Sequence, residues 1–281
     1  MKAFLNKHLH NLYKYLYKQV GKYLWVAATA ARSNIYYFGE AASRVVFLTV
    51  IMYIFLRLWQ VTYAEMAADR LAGITLQQML WYLAVTEAIM LSVPRTAPNV
   101  DQDVRTGAVA MQLIRPLSYP LYQLSVCVGE RLVRFVLNLA VGAVLCILFV
   151  GIQPITLPGL LMLVVALPLA FVLDFLGNFL VGLCAFWIED TAGIALIYSR
   201  LTMILGGMLI PIELFPPQVQ PILRVLPFSS IVYGPARLLI APSIDEFWRV
   251  LLLQLSGVLA FSLLVAFVFS RAMRRVQAHG G

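Results

Sequence analysis

The sequence predicts an all-α integral membrane protein: six spanning helices, an amphipathic interfacial helix before them, and short re-entrant outer helices between spans five and six. Three observations predict it. Of 281 residues, 62% are hydrophobic and 12% charged, about half the charge of an ordinary globular domain. Mean hydropathy is +0.86. The apolar residues come in long runs with no apolar-out, polar-in alternation over ten residues, which excludes a soluble domain, a disordered chain and a β-barrel. Cys127, Cys146 and Cys184 lie in or beside these runs with no CxxC and no nearby histidine. They are small hydrophobes, not zinc ligands or paired thiols.

Crossing a hydrocarbon core ~30 Å thick takes about 20 mostly apolar residues at ~1.5 Å each. Six stretches qualify, near Ala41 to Trp59, Leu76 to Val93, Leu132 to Val150, Leu157 to Trp187, Ala192 to Ile210 and Val250 to Ser270, and the third has room to start well before Leu132. Orientation follows from lysine and arginine placement in the short flanks. Six cations occupy residues 1 to 34, Arg95, Arg105 and Arg115 follow the second span, and Arg271, Arg274 and Arg275 close the chain, against Arg70, Arg224 and Arg237 in the opposite loops. Both termini are therefore expected in the cytoplasm, in agreement with an even number of spans.

Residues 1–34 form a separate amphipathic element and 35–281 one six-span domain. No apolar core followed by a small-residue cleavage site marks a signal peptide after Met1. Leu5, Leu9, Leu12, Leu16, Val20 and Tyr23 recur at three- and four-residue steps, and Lys14, Lys18 and Lys22 repeat on the other side. Such a helix lies on the membrane surface or packs on a partner.

Between the second and third spans, a polar turn from Asp101 leads past Gly107 into a short helix, Ala108 to Ile114, which Pro116 ends. It is too short and too flanked by charge to cross a bilayer, and lies along the inner surface as a docking knob or an ordinary loop helix. The Trp187 to Gly193 turn carries Glu189 and Asp190. Neighbouring helical residues diverge by ~100°, so these acids suit helix capping or contact with a basic patch better than shared acid–base work. From Ile212 to Phe247 the chain is apolar yet full of helix breakers. It is expected to dip into the outer leaflet and to line or cap a pathway, because irregular backbone at that depth needs protein or a water-filled cavity around it.

A charge at the centre of a spanning helix costs at least ~2.5 kcal/mol. Asp174 sits seventeen residues after Leu157, roughly 25 Å along a straight helix. It touches a cationic substrate or Arg200 if the span tilts, and otherwise anchors the inner face. Glu87 has the same two readings. Arg131 and Arg134, following Glu130, are expected to snorkel to the inner headgroups, and Arg44 and Arg57 to flank the first span.

The common catalytic signatures are missing from the sequence. There is no GxxxxGK[ST] and the one Gly-Lys pair, Gly21-Lys22, has Leu16 where the first glycine belongs. No HExxH is present, and His8, His10 and His279 all lie in the tails. Asp101 and Asp103, two residues apart, point different ways and do not form a magnesium site.

Gly107 through Leu117 fits a G-x-x-x-x-x-L-x-R-P-L pattern, Leu226-Pro227-Phe228 leads to Tyr233-Gly234-Pro235-Ala236-Arg237 before the last span, and Gly206-Gly207 to Pro211 closes the fifth. In these features the chain resembles the permease subunits of ABC-2 type ABC exporters, especially the family that exports viologens and other drugs, over nearly its whole length. The resemblance implies a six-span permease in the cell inner (plasma) membrane that forms half of the translocation pathway. It implies two kinds of partner, separate P-loop ATPase subunits that bind ATP and magnesium, and a second, identical or related, permease chain. No cofactor is expected in this chain, and no nucleic acid. By position, Val104 to Leu113, with Arg105, Gly107 and Gln112, is the first coupling helix, and Ile188, Glu189, Asp190 and Thr191 the second. Gly206, Gly207, Pro211, Phe215, Pro216, Pro227 and Phe228 are expected at the pathway or outer gate. The alternatives are an ion-coupled secondary transporter or channel with Asp174 and Glu87 as relay, which would call for inverted repeats, and a scaffold that moves no solute.

Overall fold

The computed structural model describes residues 20–33 and 38–279, so most of the predicted interfacial helix, from Leu5 to Lys18, lies outside the described residues. Residues 20–33 are helical (α1). They pack on the helix that begins at Tyr119 closely enough that a Cβ on Gly129 would overlap the Ala27 carbonyl, and the Tyr23 hydroxyl accepts the Ser118 N–H at 3.0 Å.

The chain then runs through α2 (Phe38–Glu65), α3 (Leu76–Leu91), α4 (Thr96–Arg105), α5 (Ala108–Leu113), α6 (Tyr119–Val150), α7 (Leu157–Leu183), α8 (Ala192–Leu205), α9 (Gln220–Val225), α10 (Pro227–Ile231), α11 (Tyr233–Ile240) and α12 (Ile244–His279). Local chemistry sets several starts. Thr75 and Gln78 close a reciprocal capping box before α3, and the Thr156 side chain accepts the Gly159 N–H at the start of α7, each satisfying backbone donors that the first turn leaves open. Among the described residues no strand forms beyond the isolated Leu71–Ile74 bridge.

Four segments are long and apolar enough to cross a membrane: Val45–Glu65, Tyr119–Val150, Leu157–Phe186 and Ile244–Arg275. The second of these confirms an early start for the third predicted span. The other two predicted spans are shorter helices of 16 and 14 residues, α3 and α8, some 24 and 21 Å long. Two expectations fail here. Residues 101–105 are the second half of α4, not a polar turn. Arg57 does not flank the first span but stands inside it, about 18 Å along from Val45, because the apolar run continues past Trp59 to Val61.

The core has two parts. In the larger, α3 is packed by α2, α6 and α11, with Leu48, Met52, Leu80, Leu83, Ile89, Leu173 and Ile231 almost fully buried. The smaller lies at the end of the bundle where α4 meets α7, around Val100, Phe175, Phe179 and Leu183. There a Cβ on Gly182 would stand 2.6 Å from the Val100 Cβ, so the glycine sets how closely α4 approaches.

Candidate functional site

A buried ion pair joins the middle of the bundle. Arg131 on α6 donates from Nη1 to Asp174 Oδ2 on α7 at 2.6 Å, with side-chain exposures of 0% and 3%. The Arg131 guanidinium also stacks on the Phe171 ring, 4.3 Å from its centroid, and Nε approaches Ser92 Oγ at 3.4 Å. Asp174 Oδ1 accepts from Asn178 Nδ2 and from the Tyr198 hydroxyl of α8, both at 3.2 Å. A carboxylate with three donors is satisfied without water. Arg131 therefore does not snorkel to the headgroups, since α3, α6 and α7 close over it and supply a carboxylate nearer than any interface. Asp174 is paired with Arg131 and not with Arg200, which is exposed on α8. Glu87 is buried on α3, apart from this network.

At one end of the bundle, residues far apart in sequence form a corner. Thr191, at the start of α8, donates its hydroxyl to Asp101 of α4 at 2.9 Å. Asp101 is ion-paired with Arg105 at 2.7 Å, and these two donors, Arg105 above all, hold its carboxyl below the ordinary carboxylate range. Asp103, on another face of α4, accepts from Gln112 of α5 at 3.0 Å, from the Tyr119 hydroxyl at 2.9 Å and from Gln123 at 3.0 Å. Gly107 makes the break between α4 and α5 with a left-handed φ of 72°, a conformation open to glycine at no steric cost. Asp190 caps α8, accepting the Ala192 N–H at 2.8 Å, as paired acids on diverging directions allow. From the last helix, Arg275 donates to the Phe186 carbonyl at 2.8 Å and lies over the Trp187 ring. The corner thus brings Arg105 and Gln112 into one assembly with Glu189, Asp190 and Thr191. Val104 is half-buried beneath it; Gly107, Leu113 and Ile188 face outward with Met111 and Ile114.

At the opposite end, the breakers after α8 are held from inside. The Tyr82 hydroxyl bonds the Gly207 carbonyl, Thr86 donates to the Met208 carbonyl at 3.1 Å, and the Tyr233 N–H to the Gly206 carbonyl at 3.0 Å. Gly207, with φ of 71°, turns the chain under α3. Glu213 takes the Tyr233 hydroxyl at 2.6 Å and Arg237 Nε at 3.2 Å, and Gln254 of α12 donates to the Ser230 carbonyl at 2.8 Å. Of the predicted gate residues, Gly206, Gly207 and Pro211 are buried, Phe215, Pro227 and Phe228 half-buried, and Pro216 exposed. Phe228 meets Tyr198 edge-on, ring centroids 6.0 Å apart, and Tyr198 in turn donates to Asp174 of the buried ion pair.

The long apolar helices, the buried ionic anchor and the interrupted segment satisfied from within define a multi-pass, all-helical membrane protein. The family model for ABC-2 family transporter proteins matches residues 47–280. The chain belongs to that family and is an ABC transporter permease. Among curated proteins none matches it.

Sequence reasoning missed the Arg131 partner. Its signal was present: two opposite charges inside apolar segments, each too costly to leave alone.

Proposed function

We propose that this chain is the transmembrane permease subunit of an ATP-driven exporter, forming half of a translocation pathway with a second permease chain and worked by separate P-loop ATPase subunits. The observation that carries the reading is the corner, where α4, α5 and the 184–191 turn are tied through Thr191 and Asp101 to the start of α8. A push on exposed Met111, Leu113 and Ile114 of the α5 region is transmitted along hydrogen-bonded side chains to α8 and through Gly182 to α7. ATP and magnesium belong to the motor. This chain supplies two coupling elements, Val104 to Leu113 and Ile188 to Thr191, and its outer end, Gly206 to Phe228, closes the route. In this arrangement α3 and α8 complete six crossings with help from their flanking turns, residues 212–247 dip into the outer leaflet, and both termini face the cytoplasm at the inner membrane. Nucleotide must bias two discrete arrangements of the spans, because flux in one direction needs access states that bind cargo differently.

An ion relay through Asp174 and Glu87 gains no support, since the Asp174 carboxylate is committed to Arg131, Asn178 and Tyr198.

The test is purification of the chain from its native membrane. A P-loop ATPase is expected to co-elute, with ATPase activity that falls at least fivefold for Met111→Asp/Ile114→Asp and by a smaller factor for Arg105→Ala or Glu189→Ala. A chain that moves cargo in liposomes with no ATPase present overturns the reading.

A further inference from the structure

At the end of the bundle away from the corner, a cavity of about 220 Å³ opens between α9, α11 and the start of α12, with charges of both signs on its walls. Much of that charge is spent. Glu213 Oε1 accepts from Arg237 Nε at 3.2 Å and from the Tyr233 hydroxyl at 2.6 Å, and Glu246 is paired with Arg249. Three groups are left over. Arg224 of α9 and Asp245 of α12 line the cavity but pair neither with each other nor, among the described residues, with any other side chain. Glu213 Oε2 and Arg224 Nε are buried there without a hydrogen-bond partner.

A guanidinium and a carboxylate oxygen with nothing to bind are costly in a partly buried wall, and one ligand that carries both complementary charges serves both. An anion alone meets three lining carboxylates against two arginines. A cation alone leaves Arg224 unserved. The volume lies below the ~300–1,000 Å³ of pockets that enclose a whole ligand, so the cavity takes a head group and leaves the remainder outside. The same two elements offer that remainder an apolar surface: Ile222 and Val225 on α9 and Ile244 and Trp248 on α12 are exposed. An acyl tail covers such side chains; a soluble zwitterion does not.

We infer that this cavity binds the head group of a phospholipid with a primary amine, phosphatidylethanolamine in its chemistry, with the phosphate on Arg224 and the ammonium on Asp245 and Glu213 Oε2. Ile222, Val225, Ile244 and Trp248 meet the acyl chains. The guanidinium gives the phosphate a forked, charge-assisted contact, and the ammonium has N–H donors that a trimethylated head group lacks. The site rests on the outer-leaflet placement of residues 212–247 in the reading above and takes nothing from the nucleotide cycle.

The experiment uses the full-length chain in the complex in which it purifies, in detergent and without nucleotide. The complex is incubated with dioleoyl phosphatidylethanolamine, phosphatidylcholine and phosphatidylglycerol at equal concentrations, and native mass spectrometry reads the single-lipid adducts. The ethanolamine lipid is expected to exceed each of the others at least about fivefold, as charge-assisted hydrogen bonds at both ends of the head group predict. Arg224→Gln and Asp245→Asn are each expected to bring that preference below about twofold, and Arg200→Gln, elsewhere on the chain, to leave it unchanged. Glycerophosphoethanolamine at the concentration of the lipid is expected to displace none of it, for want of a tail. Equal adducts of the three lipids, a preference for the choline or glycerol lipid, or a preference that survives both Arg224→Gln and Asp245→Asn overturns the proposal. So does displacement by the soluble head group, or an equal loss on Arg200→Gln, which would trace the preference to the general basic charge of the chain. Because no nucleotide is added, these outcomes leave the ATP-driven reading standing. A complex that prefers the ethanolamine lipid but contains no ATPase overturns only that reading.

Discussion

Helices α3 and α8 are nearly the same length and both apolar, yet they are opposites in place. Eleven of the sixteen residues of α3 are buried, Glu87 among them, whereas α8 buries Thr202 alone of its fourteen. α3 is capped at its start, surrounded on all sides and used as a post to which the Gly207 turn is tied. α8 is held at separate points: Thr191 to Asp101 at one end, Tyr198 to Asp174 in the middle, and Gly206 to Tyr233 just past the other. Apolar character in a membrane protein therefore does not distinguish a core element from a working surface. A helix with few packing contacts and a handful of polar tethers is the one that can take a second position at low cost.

The largest expected effect falls on the anchor beneath both helices. Asp174→Leu leaves Arg131 charged and buried without a carboxylate, which should cost about 3–5 kcal/mol and abolish recovery of folded protein. Arg131→Met/Asp174→Leu should restore most of that recovery, measured by size-exclusion profile and thermal unfolding in detergent. If the double variant is as unstable as the single, packing and not charge explains the site. Next comes the contrast itself. Leu83→Ala in α3 should destabilise by about 2 kcal/mol or more, through the cavity it opens, and Ile197→Ala in α8 by less than about 0.5 kcal/mol. Equal losses would break the comparison. The approach of α4 is tested by Gly182→Val, which should lower stability by about 1–3 kcal/mol through overpacking against Val100. The smallest effect is Tyr198→Phe, which removes one hydroxyl from Asp174. It should leave the melting profile nearly unchanged but speed hydrogen exchange across 192–205 by roughly fivefold, as a loss of about 1 kcal/mol predicts. Faster exchange in α3 as well would show that α8 is not separately tethered.

Much of this was legible in the chain. The break at Gly107 and the stop before Pro116 follow from residue chemistry, the early beginning of α6 from hydropathy, and the capping use of Asp190 from the divergence of adjacent side chains. The ion pair was half legible: the costs of Arg131 and Asp174 could be read, but not that they meet across 43 residues. Arg57 was misplaced because the end of an apolar run is a poor guide to where a helix leaves its hydrophobic stretch.

The sequence by itself determined the class of protein and the order of its helices, because hydropathy and helix signals are local and act within about twenty residues. Only the tertiary structure decided which charges were neutralised and which were left facing outward, and which of two similar short helices became the post. Those outcomes depend on which faces of distant helices are turned toward each other, and a helical face has no meaning until a neighbour is set against it.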